Sequence, residues 1–147
     1  MREILFRGKR IDNGEWVGSG NLIHFNEENE HYIPDPNNKC LCRHDEADNI
    51  IEWRNTLFYK VIPETVGQYT GLTDKNGKKI FEGDIVKHYN DNAHPENYAT
   101  YQVEWYAEKA TFIVVVIGKC ERYEMRKGLK YEIIGNIHDN PELMKGE

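Results

Sequence analysis

Short segments in which apolar and polar residues alternate, separated by turn-forming residues, recur along most of the chain. Residues 101–105 alternate strictly, so that the three odd-numbered residues share one face of a predicted strand. Residues 56–62 alternate less strictly and predict a strand that is buried on both faces at one end. The run 111–117 is rich in β-branched residues and predicts the central, most buried strand. The pattern therefore predicts a mainly β protein with a minor helical part.

The N-terminal part predicts a β-hairpin. Residues 4–6 and 15–17 form its two arms, and the Asp-Asn-Gly turn at 12–14 supplies residues that tolerate a positive φ. Residues 22–25 and 31–33 predict two further short strands. We expect the chain to enter a β-rich segment from its first residues.

A long polar connection runs over residues 26–55. Its prolines predict a surface loop at 34–38. Residues 45–55 have roughly helical spacing of apolar positions after a capping aspartate, which predicts a short helix. An extended segment through Ile51 and Trp53 is the alternative that the same residues leave open.

The most definite stretch is the central block, residues 63–86, which predicts strand, turn, short strand, turn and strand. Asn76 and Gly77 are typical of a tight turn because both residue types tolerate a positive φ. The Asp74 carboxylate can accept backbone N–H groups of the same turn. We expect the apolar pair 80–81 to be buried between the two turns.

Three blocks carry a family resemblance. Residues 4–9 with 14–17, the central block, and residues 134–143 resemble the YopX family of phage and prophage proteins. The blocks lie at the start, middle and end, so the resemblance spans nearly the whole chain.

The resemblance implies a mainly β protein whose C-terminal part is an SH3-like barrel. It also implies an origin in phages and integrated prophages of bacteria. It implies no activity and no catalytic residues. The chain departs from the family pattern at residues 26–55 and 90–97, where a specificity of its own would lie.

The length of 147 residues fits one domain or two small lobes. We expect an N-terminal β-rich segment over 1–62, which contains the long polar loop and the short helix. We expect the SH3-like β-barrel module over 63–147, sharing one core with the N-terminal part.

Composition narrows the classes of function. The net charge of -6 opposes broad binding to phosphate backbones, because nucleic-acid binders present a basic field. The N-terminal residues are charged and do not predict a secretory leader, and the longest apolar run, 112–117, is far shorter than the roughly 20 residues of a membrane helix. With three cysteines, the chain is expected in the reducing cytoplasm of a bacterial host, away from membranes.

One cluster has metal-like residue types, namely Cys40, Cys42 and His44. The Cys-x-Cys spacing is tighter than in the common zinc knuckle, and Cys120 lies far away in the sequence. Two reduced thiols at the start of a strand or turn are the favoured explanation. We therefore predict no metal and no cofactor, and leave open whether this cluster binds a metal.

No catalytic motif is present: the sequence has no phosphate-binding loop, no dinucleotide fingerprint, no zinc-protease motif and no nucleophile elbow. Four carboxylates lie along the central block and would hold a divalent cation if they converged. Turn caps and solubilising charge are the roles that we favour for them. These are Glu64, Asp74, Glu82 and Asp84. We expect no catalytic residue and no enzymatic activity.

Aromatic and basic residues are the candidates for binding. Exposed aromatic rings of small barrels often line a peptide groove, whereas lysines and arginines beside rings favour single-stranded nucleic acid. The aromatic candidates are Tyr69, Tyr89, Tyr98, Tyr101, Trp105 and Tyr106. The basic candidates are Arg7, Lys9, Arg10, Lys75, Lys78 and Lys79.

We predict a non-enzymatic interaction module that binds a phage or host bacterial protein. Association with nucleic acid through a local basic face is the alternative, and a carboxylate-metal hydrolase is a weaker one. Mimicry of DNA by an acidic phage protein is a further variant, for which the net charge is modest. Edge strands and surplus aromatics leave self-association open.

Overall fold

The computed structural model of the protein describes residues 2–25, 27–35, 49–53, 56–89, 96–127 and 130–145. These residues form thirteen strands and three short 3₁₀ turns, and every strand pairing is antiparallel. The predicted mainly β fold is confirmed. No helix within the described ranges is long and apolar enough to cross a membrane.

The chain forms two compact units, Met1–Gln68 and Tyr69–Glu147. The predicted division after residue 62 falls just before the 3₁₀ turn Pro63–Thr65, and it stays a prediction. The strands of the first unit are β1 (Phe6–Lys9), β2 (Trp16–Ser19), β3 (Ile23–Phe25), β4 (Glu30–Asp35), β5 (Ile50–Trp53) and β6 (Thr56–Val61). Strand β7 (Gly67–Thr73) begins in the first unit and ends in the second.

The first unit contains the predicted hairpin, in which β1 pairs with β2, although its first arm is Phe6–Lys9 and not residues 4–6. A four-stranded sheet follows, in the order β3-β4-β6-β5. Gly8 faces Val61 so closely that a Cβ on it would lie 3.0 Å from the Val61 side chain. Val61 also forms an isolated antiparallel β-bridge with Arg10. A side chain at position 8 is therefore excluded by the packing of β1 against β6.

Two expectations for residues 26–55 were wrong. Residues 50–53 form β5 and not a helix, because their backbone groups pair with those of β6. The extended alternative for these residues is therefore correct. Pro34 lies in β4 opposite Phe58 and is buried, although we expected a surface loop there. Residues 36–48, which include Cys40, Cys42 and His44, lie outside the described residues.

The strands of the second unit, after β7, are β8 (Lys79–Phe81), β9 (Asp84–Tyr89), β10 (Tyr98–Tyr106), β11 (Thr111–Val116), β12 (Arg122–Glu124) and β13 (Tyr131–Asn136). Five of them form one sheet in the order β12-β11-β10-β9-β13. The central strand is β10, and the β-branched strand β11 is second from one end, which corrects the expected order.

The turn of the central block forms as predicted. The Oδ1 atom of Asp74 accepts the backbone N–H groups of Asn76 and Lys78, each at 2.9 Å. Gly77 has a φ of 83°, the left-handed conformation that glycine adopts without strain. Ile80 is fully buried as expected, whereas Phe81 is only half-buried.

The core of the second unit lies on one face of the five-stranded sheet. Its buried members are Ile80, Val86, Tyr101, Val103, Val114 and Tyr131. None of the sheets described here closes on itself, because the five-stranded order ends at β12 and at β13. The SH3-like barrel therefore stays a prediction.

A compact turn follows β13. Gly135 packs beneath the Asn140 side chain, whose Oδ1 accepts the Asn136 N–H at 3.2 Å. The single turn Pro141–Met144 begins with a proline, a residue that suits the first position of a helical turn. The Asn140 side chain does not cap it, since it is used by the preceding turn.

Candidate binding site

The second unit contains a cavity of about 520 Å³, which we call the tyrosine cavity. It runs across the five-stranded sheet and takes lining residues from each of its strands. The lining residues are His88, Tyr101, Val114, Arg122, Tyr123, Glu124, Arg126 and Tyr131. The volume is in the range of small-ligand and side-chain binding pockets.

The register of the sheet explains why the tyrosines converge. Residues directly opposite each other on neighbouring strands place their side chains on the same face. His88 lies opposite Tyr131, and Val114 lies opposite Tyr123. Tyr101 lies opposite Val86, a core residue, so the cavity continues the core face of the sheet.

The three tyrosines differ in exposure. Tyr131 is 3% exposed and Tyr101 is 9% exposed, whereas Tyr123 is 53% exposed at the rim. The rings of Tyr101 and Tyr123 make an edge contact with centroids 6.4 Å apart, and the ring of His88 lies 5.7 Å from that of Tyr131. The floor of the cavity is therefore a preformed aromatic surface with one exposed ring at its edge.

The phenol groups in the cavity remain protonated at neutral pH. Burial raises the pKa of Tyr101, and the nearby Glu121 carboxylate raises it further. Burial also raises the pKa of Tyr131, although the backbone N–H of Arg126 bonds its oxygen and acts in the opposite direction. Both hydroxyls are therefore neutral hydrogen-bond donors.

Strand β12 contributes three consecutive residues to one wall of the cavity. The side chains of Arg122 and Glu124 leave from the opposite face of this strand because they flank Tyr123. The Arg122 guanidinium lies 5.3 Å from the centre of the Tyr106 ring, and the Glu124 carboxylate lies 4.0 Å from Lys109 Nζ. The charged groups of these two side chains are therefore directed away from the face that carries Tyr123.

A second cavity of about 300 Å³, the basic cleft, adjoins the first, and Arg126 and Tyr131 line both. Its other lining residues are Gly71, Leu72, Thr73, Asp74, Lys75, Lys127 and Lys130. The Asp74 carboxylate accepts backbone N–H groups, and Lys75 Nζ lies 3.1 Å from Glu132. Arg126, Lys127 and Lys130 therefore leave the cleft locally cationic within an acidic chain.

The predicted aromatic residues are not gathered in one groove. Tyr101 lies in the tyrosine cavity. Tyr69 is buried against Phe81, and the Tyr89 hydroxyl donates to Glu132 at 2.9 Å. Trp105 is 46% exposed at the far end of β10, where its ring contacts Phe112. The two remaining candidates are exposed Tyr98, beside Tyr89, and Tyr106, beneath Arg122.

The predicted lysines of the second unit lie near different rings. Lys75 Nζ lies 5.3 Å from the Tyr89 ring centre and lines the basic cleft. Lys79 Nζ lies 5.6 Å from the Tyr69 ring centre. The backbone of Lys78 is held in the Asp74 turn.

The basic candidates of the first unit are engaged locally. Arg7 and Lys9 lie over the ring of Trp16, at 4.6 and 5.8 Å from its centre. The Arg10 guanidinium is paired with the Asp12 carboxylate, which raises the pKa of Arg10. The structure therefore divides the six basic candidates between the two units.

The four carboxylates of the central block do not form a cation site. Asp74 and Asp84 are buried and accept backbone N–H groups, the latter from Phe81 at 2.8 Å. In the part of the chain that the structure describes, no group of three or more His, Cys, Asp or Glu residues has the geometry to hold a metal ion. The arrangement that a carboxylate-metal hydrolase needs is therefore absent from Glu64, Asp74, Glu82 and Asp84.

Sequence reasoning missed most of the cavity. His88, Tyr123, Tyr131 and Arg126 come together only through the pairing of β13 with β9 and of β12 with β11. A local signal existed at Tyr123, since an aromatic residue in a short extended segment after a turn is typical of a strand. The pairing of β13 with β9 has no local signal because its partners are more than forty residues apart.

Comparisons with protein families and with solved structures each give a match. The family model described as YopX protein matches residues 5–145. The crystal structure of protein EF1440 from Enterococcus faecalis is similar, with 23% sequence identity and a TM-score of 0.48, over 97% of this chain and 98% of that chain. No curated protein matches the chain.

Proposed function

The chain belongs to the YopX protein family, and from this premise we propose that it is a non-enzymatic phage or prophage accessory protein. In this proposal the tyrosine cavity binds a segment of another phage protein or of a bacterial host protein. The binding takes place in the cytoplasm of the host. The observation that carries the proposal is the preformed aromatic floor of the cavity.

The chemistry of the cavity favours binding over catalysis. Tyrosine rings bury large apolar area at low cost in side-chain entropy, and their hydroxyls fix the orientation of a bound group. Tyr101 and Tyr131 are neutral donors, and His88 is held against the Tyr131 ring. We expect an apolar or aromatic side chain of the partner to occupy the space beside Tyr123.

Nucleic-acid association is the second candidate, and the basic cleft is the observation that favours it. Arg126, Lys127 and Lys130 lie next to the rings of the tyrosine cavity, and rings beside cations are typical of single-strand binding. Against this candidate, the cavity itself has the Glu121 carboxylate at its rim, bonded to the Tyr123 hydroxyl. The net charge of -6 acts in the same direction.

A photocrosslinking experiment tests the proposal. The photoreactive amino acid p-benzoylphenylalanine replaces Tyr123 at the cavity rim or, as a matched control, Tyr106 on the opposite face of the same sheet. Both variants are expressed in a bacterial host carrying the phage or prophage. We expect nuclease-resistant adducts with a protein other than this chain from position 123 and not from position 106, identified by mass spectrometry.

Two outcomes would contradict the proposal. Adducts that form equally from both positions would show that the cavity does not select a partner. Adducts from position 123 that nuclease removes, and that the triple variant Arg126→Glu, Lys127→Glu, Lys130→Glu abolishes, would establish nucleic-acid association in its place.

A further inference from the structure

The outer edge of β12 has a defined set of outward-pointing backbone groups. The N–H of Val116 donates to the carbonyl of Glu121 at 2.8 Å, and the N–H of Met125 donates to the carbonyl of Phe112 at 3.3 Å. In an antiparallel pair the hydrogen-bonding residues alternate along each strand. Tyr123 therefore bonds towards β11, and the N–H and C=O groups of its two neighbours point away from the sheet.

The two edges of the five-stranded sheet differ. On β13, the carbonyl of Tyr131 accepts the N–H of Lys75 at 2.8 Å, and the N–H of Ile133 donates to the Asp74 carboxylate at 3.2 Å. On β12, no strand of the described ranges pairs with the outer edge. A row of peptide groups with no neighbouring strand is a template for pairing with another chain.

The sequence of this edge is self-complementary. We propose that β12 pairs in antiparallel fashion with β12 of a second copy of this chain, around a two-fold axis at Tyr123. Arg122 then lies opposite Glu124 of the partner subunit, and Glu124 lies opposite Arg122 of the partner subunit. Each of these two pairs joins residues whose peptide groups point outward, so each exchanges two backbone hydrogen bonds.

The charges also select the register. Sliding the two strands by two residues in one direction places Arg122 opposite its own copy, and sliding them in the other direction places Glu124 opposite its own copy. Like charges directly opposite each other destabilise a strand pair. All three registers are isologous, as a two-fold dimer requires, but only the register centred on Tyr123 joins opposite charges.

Pairing would change the rim of the tyrosine cavity. Tyr123 is 53% exposed, and in the proposed dimer it faces Tyr123 of the partner subunit in a non-hydrogen-bonded pair, where side chains come closest. The two cavities would then open on the same face of one continuous sheet. A dimer would present two binding sites with a fixed spacing.

Sedimentation velocity over a range of protein concentrations tests the proposal, in the presence of a reductant because Cys120 is exposed. We expect the full-length chain to shift from monomer to dimer as its concentration rises. Arg122→Glu or Glu124→Arg alone places like charges opposite each other twice, and we expect each to weaken the dimer about tenfold. The double variant restores opposite charges and should restore the dimer.

The control is Arg2→Glu, which makes the same change of charge at an exposed arginine outside β12. Arg122→Pro removes an outward N–H without breaking a bond to β11, and it should abolish the dimer while circular dichroism remains that of the folded chain. A chain that stays monomeric at all concentrations would overturn the proposal. A dimer that resists both single charge reversals, or one that the double variant fails to restore, would overturn it as well.

Discussion

The two edges of the five-stranded sheet are protected by different means. On β13, the chain itself covers the edge, because the Asp74 turn supplies a carboxylate to Ile133 and an N–H to Tyr131. On β12, the edge is short and carries one positive and one negative side chain. Short charged edges resist indiscriminate pairing, but they do not exclude a partner whose charges match.

The β13 edge therefore contributes to the stability of the sheet, whereas the β12 edge is the one suited to recognition of a partner. The covered edge is built from a buried carboxylate whose bonds cannot be replaced by water at low cost. The β12 edge has exposed side chains whose contacts are weak on their own. We therefore expect substitutions at the β13 edge to change the free energy of unfolding strongly, and substitutions at the β12 edge to change mainly association.

The largest effect is expected for Asp74→Ala. It leaves three backbone N–H groups without their acceptor, those of Asn76, Lys78 and Ile133. We expect a loss of about 3 kcal/mol in the free energy of unfolding, measured by urea denaturation. Asp74→Asn keeps one side-chain oxygen as an acceptor for the turn, but its uncharged amide is a poorer partner for the N–H of Ile133. We expect it to lose less unfolding free energy than Asp74→Ala. A loss below about 1 kcal/mol for Asp74→Ala would contradict the role of this carboxylate.

A smaller effect is expected for Gly135→Ala in the bulge of β13. The added Cβ would lie 2.5 Å from Oδ1 of Asn140. We expect a loss of about 2 kcal/mol in the free energy of unfolding, because the turn after β13 must shift. In the Asn140→Ala background the two nearest obstructing atoms are gone and only Leu143 Cδ1, at 3.1 Å, remains close, so the same glycine substitution should cost less. Strict additivity of the two changes in a double-mutant cycle would argue against this clash.

The contribution of Asp74 should depend on pH. Burial raises the pKa of this carboxyl, but N–H bonds from the backbone of Lys78, Ile133 and Asn76 outweigh it and hold the pKa below its ordinary value of 3.8. As the pH falls below 3.8, the unfolded state binds a proton first, so acid favours unfolding. The stabilisation is complete above pH 3.8 and is lost as the pH falls through the lowered pKa of the folded state.

The check on this pH dependence is the difference in unfolding free energy between the unaltered chain and Asp74→Asn. This difference should be constant near neutral pH and shrink on acidification. A difference that is the same at neutral pH and in strong acid would show that the ionised form of Asp74 has no special role.

The smallest effect on stability is expected at the β12 edge. For Arg122→Ala, whose guanidinium contacts the Tyr106 ring, we expect a change below about 0.5 kcal/mol in dilute protein. Urea denaturation beside Asp74→Ala gives a direct comparison of the two edges. A loss as large as that of Asp74→Ala would show that the β12 edge is also part of the stabilising framework.

The sequence predicted what local chemistry determines. The turn at Asn76-Gly77, the carboxylate of Asp74 and the buried Ile80 follow from residue types a few positions apart, and the structure confirms them. The hairpin of β1 and β2 was also predicted from residue types that are close together in the sequence. The position of β11 beside β12 was missed, because hydrophobicity indicates that a strand is buried and not which strands flank it.

The candidate site was predictable only in part. Tyr101 was found through alternation along β10, whereas His88 and Tyr131 meet through a pairing across many residues. Residues 50–53 were ambiguous, because short apolar segments fit both helix and strand until a neighbouring strand is known. Long-range pairing therefore separates the parts of the site that sequence reasoning found from those that it missed.

The Asp74 carboxylate joins contacts of very different range, since it bonds an N–H four residues away and another 59 residues away. The first bond can form with the hairpin, but the second must wait until the last long strand has been added. Contacts of large sequence separation form late because closing the intervening loop costs entropy. The bond to Ile133 therefore holds the sheet against opening more than it speeds assembly, so this bond acts mainly on the lifetime of the folded state.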